Sequence, residues 1–140
     1  MPAETSTVLL VDDEEGLLLL LNVAFRRAGF RVLLADSGAE GERLAREHRP
    51  DVIVSDIMMP PPDGFELRQR LAENSATAAI PFIFLTARNS AAEKIRALEG
   101  GVSDYLAKPF DREELIARVK AILRRHTWSQ PAADQPGGGS

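Results

Sequence analysis

Residues 51–60 read DVIVSDIMMP, and the run Val52-Ile53-Val54 with Asp56 just behind it sets the fold. The run is short, β-branched and shows no polar alternation. That pattern suits a strand buried on both faces, as in a parallel sheet, and not a strand with one wet face. The same form recurs at Val8-Leu9-Leu10-Val11, Val32-Leu33-Leu34-Ala35, Phe82-Ile83-Phe84-Leu85 and Tyr105-Leu106-Ala107. Helical patterns fill the intervals. Leu115, Ile116, Val119, Ile122 and Leu123 fall on one helical face, with Asp111 and Glu114 spaced as a capping box before them. Ser37 with Glu40, and Ser90 with Glu93, repeat that start signal ahead of Leu44 and Ile95. A first helix is expected from Glu15 to Ala28 with Gly29 as its stop, and a weaker third one over Phe65–Glu73. Strand then helix, five times over, with right-handed crossovers, gives a three-layer α/β/α doubly wound sheet of five parallel strands.

The chain has 140 residues, room for one domain with its own core. The expected division is an N-terminal extension at 1–6, a domain at 7–125, and a flexible linker or tail at 126–140 rich in Gln, Pro, Ala and Gly. There is no cysteine, which excludes disulfides, thiolate metal sites and a cysteine nucleophile. A net charge of −4 makes direct nucleic-acid binding unexpected. Residues 1–7 lack the basic and apolar regions of a secretory signal, and Leu17–Leu21 is too short to span a bilayer, so no membrane association is expected.

Ligands of open α/β sheets sit outside the carboxyl ends of the strands. Asp12 and Asp13 follow the first apolar run, Asp56 the third, Thr86 the fourth and Lys108 the fifth. Taken singly, each has an ordinary explanation. An aspartate pair can cap a helix, a threonine can end a strand, a lysine can be solvated surface, and Tyr105 can be an edge-strand aromatic. Taken together they make a chemical set. Gathered carboxylates repel one another unless a cation joins them. A hard divalent ion with oxygen ligands answers that need. A lysine and a hydroxyl suit phosphate oxygens, and a carboxylate nucleophile can take a phosphoryl group.

The segments VLLVDDE at 8–14, DVIVSDIMMP at 51–60, PDGFEL at 62–67, FLTAR at 84–88 and DYLAKPF at 104–110 resemble the response-regulator receiver domain of bacterial two-component systems. The resemblance runs in order over residues 7–125. It implies a flavodoxin-like (βα)5 fold with strand order 2-1-3-4-5. It also implies roles for individual residues. Asp56 would be the phosphoacceptor, Asp13 a direct ligand of Mg²⁺ (with Mn²⁺ as a substitute), and Asp12 a ligand mainly through water. Met58 would offer its backbone carbonyl. Thr86 and Lys108 would contact the phosphoryl group, and Thr86 with Tyr105 would form the switch. The Lys108–Pro109 bond would be cis. The implied location is the cytoplasm, and the implied partner is a histidine kinase or phosphotransfer protein. The implied output surface is made by the helix from Ser90, the fifth strand and the last helix, with a homodimer through that face as a further option. The domain would be a switch with self-catalysed transfer and slow autodephosphorylation, not an enzyme acting on others. Pro62 departs from the bulkier apolar residue usual there, and Ser103 from an acidic residue frequent in winged-helix relatives.

An Asp-x-Asp phosphatase would need a general acid at Met58, and a flavin-binding relative would need a Ser/Thr/Gly-rich loop where Asp12-Asp13-Glu14-Glu15 stands. A receiver that is never phosphorylated would not be expected to keep the whole set.

Overall fold

A computed structural model of the chain describes residues 5–87, 95, 96, 99 and 103–134. The strands are β1 (Thr7–Val11), β2 (Arg31–Ala35), β3 (Val52–Asp56), β4 (Phe82–Thr86) and β5 (Asp104–Ala107). The helices are α1 (Glu15–Arg27), α2 (Gly38–His48), α3 (Gly64–Ala72) and the C-terminal helix α4 (Arg112–Asp134). Ile95, Arg96 and Glu99 are also helical; the Ser90 and Glu93 start signal lies outside the described residues.

The five strands form one parallel sheet in the order β2-β1-β3-β4-β5. Side chains alternate across it and build two cores. Val8, Leu10, Val54, Ile83, Leu85 and Leu106 meet Leu18, Leu21 and Phe25 of α1 and Leu115, Val119 and Ile122 of α4. On the other face Leu9, Val11, Ile53, Phe82, Phe84 and Tyr105 meet Leu44 and Ala45 of α2 and Leu67 and Leu71 of α3. β3 and β4 are buried along their whole length, which accounts for their lack of alternation. β2, at one edge, keeps Arg31 exposed.

The helix starts follow local polar chemistry. Ser37 accepts the Glu40 N–H, as its spacing implies. α3, faint in the apolar pattern, is fixed by a complete capping box: Asp63 accepts from the Glu66 N–H, and the Glu66 carboxylate accepts from the Asp63 N–H. At α4 the expected box does not close. Asp111 accepts the Glu113 N–H at 2.9 Å, while Glu114 pairs with Arg118. α4 also continues past Arg125 to Asp134, where the sequence reading expects a linker. Residues 126–130 contain no glycine or proline to interrupt a helix.

Because the cap fixes where α3 begins, Asp63→Ala should lower stability by about 1 kcal/mol. A shift in the urea midpoint with unchanged slope is the expected readout; an unshifted midpoint would remove the cap from the account of α3.

Candidate functional site at the strand ends

The sheet register lines up the polar strand ends. Val11 pairs with Ser55, so Asp12 and Asp56 continue side by side at the ends of β1 and β3. Thr86 pairs with Ala107, which puts Lys108 one step beyond. Backbone bonds hold these ends in place: the Asp12 N–H donates to the Ala35 carbonyl at 3.0 Å, Ile57 to Leu85 at 3.1 Å, and Lys108 to Thr86 at 2.8 Å.

Asp12, Asp13 and Asp56 converge, with a ligand oxygen from each within 4.8 Å of the others. Asp12 and Asp56 are 2% and 5% exposed, whereas Asp13 is exposed. Lys108 binds both buried carboxylates, with Nζ 2.9 Å from Asp12 Oδ2 and 3.3 Å from Asp56 Oδ2. Glu14, which the sequence reading did not place here, lies 3.8 Å from the same ammonium. The remaining oxygens accept backbone donors: Asp12 Oδ1 from the Glu14 N–H, and Asp56 Oδ1 from the Met58 N–H. Thr86 is fully buried at the neighbouring strand end.

Phe84 pairs with Tyr105 across the sheet, and Thr86, two residues on from Phe84, shares its face. The Tyr105 side chain is buried in the core on that face, with Phe84 and Phe82. The Lys108–Pro109 bond is cis, as expected; Pro61–Pro62 is cis as well, which the sequence reading did not anticipate.

One further site residue has no polar chemistry. A Cβ on Gly64 would strike the Asp56 carbonyl oxygen and stand 2.7 Å from Ile57 Cα. Its N–H donates to the Ile57 carbonyl at 3.0 Å. Only glycine lets α3 start this close to the end of β3. The sequence carries this signal in Asp63-Gly64, but a glycine at a helix start does not by itself say what lies against it.

The donor set fits a hard divalent cation: all its groups are oxygens, and the carboxylates stand close enough to share one ion. The electrostatics point the same way. Burial raises the Asp56 carboxyl most strongly; the Lys108 charge opposes this, and the Asp12 charge adds to it. Lys108 is raised despite its burial, because Asp12 first and Asp56 next stabilise its charge. Lys108 therefore acts as the counter-charge for two buried carboxylates.

The parallel sheet and the acidic cluster at its carboxyl edge define a flavodoxin-like α/β protein with carboxylates placed to share a divalent cation. The chain belongs to the response regulator receiver domain family, whose signature matches residues 8–120. It is 42% identical over 118 residues to the DNA-binding dual master transcriptional regulator RpaA of Synechocystis sp., an alignment covering 84% of this chain and 49% of that one. It is 41% identical to the phosphate regulon transcriptional regulatory protein PhoB of Pseudomonas aeruginosa, covering 85% and 52%. The chain thus spans about half the length of these curated relatives. Among solved structures it is similar to the Francisella response regulator 1452 receiver domain, with a TM-score of 0.81 at 36% identity over 86% of this chain and 98% of that one. The chemotaxis protein CheY4 of Vibrio cholerae gives 0.80 at 30% identity, covering 84% and 98%.

A carboxyl whose pKa folding raises destabilises the fold when it is ionised, above its folded pKa. That cost disappears below its unfolded value of about 4. Asp56→Asn should therefore stabilise the metal-free chain at pH 7, with a gain that shrinks as pH falls toward 4. Urea unfolding in a chelating buffer checks this, and a loss of stability at pH 7 would contradict the assigned electrostatics.

Proposed function

We propose that Asp56 is the phosphoacceptor of this receiver domain and takes its phosphoryl group from a partner histidine kinase or phosphotransfer protein. The observation carrying this reading is the convergence of Asp12, Asp13 and Asp56 with one lysine bound to the two buried members. An Asp56 carboxylate oxygen forms the new bond to phosphorus as the bond from phosphorus to the donor's imidazole nitrogen breaks, and that electron pair stays on the imidazole. Asp13, Asp56 and the Met58 carbonyl would hold Mg²⁺ (or Mn²⁺) directly and Asp12 mainly through water, and the bound ion would supply neutralising charge for the phosphoryl oxygens. Lys108 shifts from carboxylate counter-charge to phosphoryl counter-charge, and the Thr86 hydroxyl donates to a phosphoryl oxygen.

The same residues make a switch. A hydroxyl drawn to a new phosphoryl group leaves its former position, and Tyr105 is the large side chain on that face that can respond. The domain acts as a signalling switch, with self-catalysed transfer and slow loss of the phosphoryl group as its only chemistry. We place the domain at residues 7–125 and the protein in the cytoplasm. Among the described residues no helix is long and apolar enough to cross a membrane.

Two surfaces suit partners. Leu19, Leu20 and Val23 form an exposed apolar stripe on α1, directly after the acidic pair, which suits a helical phosphodonor. β5 and α4 contribute to the output face. There Arg118 is held within the chain by Asp104 at 2.8 Å and Glu114 at 3.0 Å. A homodimer through this face would have to exchange these ion pairs for intermolecular ones.

With acetyl phosphate and Mg²⁺, the wild-type chain should form an acid-stable, base-labile adduct that mass spectrometry maps to Asp56. Asp56→Asn should not label, and equal labelling of that variant would overturn the proposal. Lys108→Ala should slow labelling on the order of a hundred-fold, the loss expected for one positioned charge donor.

A further inference from the structure

The loop from Ile57 to Asp63 carries the Met58 carbonyl, and its two ends are fixed differently. At its far end Gly64 and the Asp63 capping box seat it on α3. Before that end it meets a second element. A Cβ on Gly38, the first residue of α2, would strike the Pro62 carbonyl oxygen and lie 2.9 Å from Pro62 Cγ. Gly38 is buried. Its backbone does not lie in the left-handed region, so conformation does not call for glycine there. Glycine loses more conformational freedom on folding than alanine, so its presence where conformation does not require it calls for a packing reason. Among the described residues, the atoms nearest that Cβ all belong to Pro62.

Pro60, Pro61 and Pro62 are consecutive, and each has its φ locked by its ring. A push on Pro62 is therefore poorly absorbed by torsions in between and passes toward Met59 and Met58. Met59 is buried, and the Met58 N–H is already bonded to Asp56 Oδ1 at 3.2 Å. The prolines thus form a stiff strut between the start of α2 and Met58, the residue whose carbonyl the proposed function assigns to the cation.

Building on the proposed cation and phosphoryl site, we propose that Gly38 is a positioning residue: by letting α2 press directly on Pro62, it sets where the Met58 carbonyl stands and so sets the affinity for the divalent cation. It touches neither cation nor phosphoryl group. Its effect runs from α2 through the proline strut, so it should appear in metal affinity beyond any effect on stability.

Mg²⁺ titrations followed by backbone amide shifts test this on the wild-type chain, Gly38→Ala, Pro62→Gly and the double variant. Gly38→Ala should bind Mg²⁺ about ten-fold more weakly, the low end of what groups behind the direct ligands contribute. In the Pro62→Gly background, where the loop can yield, the same change should cost no more than about two-fold. Gly41→Ala is the comparator: its added Cβ would press on the Val11 and Leu67 side chains, not on the loop. It should lower the unfolding temperature while keeping Mg²⁺ affinity within about two-fold of wild type. An unchanged affinity in folded Gly38→Ala, or a loss that Pro62→Gly does not relieve, overturns the proposal. If Gly38→Ala does not fold, Pro62→Gly alone decides it, since releasing the strut must then weaken Mg²⁺ binding, and unchanged binding overturns it. A wild-type chain that binds no Mg²⁺ would overturn the site reading itself, an outcome distinct from a bound wild type with an indifferent Gly38→Ala.

Discussion

Asp12 and Asp56 sit buried beside each other at adjacent strand ends, and one ammonium group, Lys108, bonds to both. Two ionised carboxylates in a dry edge of a protein repel, and burial penalises each separately. The arrangement holds because Lys108 is fixed from behind by its backbone bond to Thr86 and reaches across from β5. A site of this kind has charge to spare for a cation, and a positive group ready to change partners when an anion arrives. The resting chemistry and the proposed phosphoryl chemistry thus come from the same electrostatic tension.

The rest of the fold keeps that tension in place. Both faces of the sheet are covered, one by α1 and α4 and the other by α2 and α3, so the strands cannot slide without opening a core. In a parallel sheet all carboxyl ends lie on one edge, and every polar strand terminus is delivered to the same place. Gly64 lets α3 begin against the end of β3, while the Asp63 and Glu66 box fixes that beginning without needing a strong apolar stripe. Gly38 and the three prolines extend the same principle to the loop between them: close backbone approach and restricted torsions hold a carbonyl where a flexible loop would let it wander.

Much of this is legible in the residues themselves. The unalternating runs around Leu9, Ile53 and Phe84 reveal buried parallel strands because alternation disappears when both faces are covered. Their polar successors reveal the site because strand ends in such sheets converge. Asp56, Lys108 and the acidic pair therefore stand out as the polar residues just behind the apolar runs. Periodicity understates α3 because its start is held by side-chain to backbone bonds, which leave no apolar period. The linker expected after Arg125 runs as helix to Asp134, since a polar composition weakens the case for a helix without forbidding one. Arg118 pairs with Asp104 and Glu114 of the same chain, a fact that depends on how α4 rests on β5.

By itself, then, the sequence determined the five parallel strands, the helices between them among the described residues, and which polar residues stand at the carboxyl edge of the sheet, because hydrophobic period and strand-end position are properties of a linear pattern. The tertiary structure alone decided that Lys108 spans Asp12 and Asp56, that Glu14 joins them, and that Gly38 and Gly64 are glycines for the sake of backbone lying against them. Those facts concern distances between segments far apart in the chain. Such distances are set by sheet register and layer packing, which no local stretch of residues encodes.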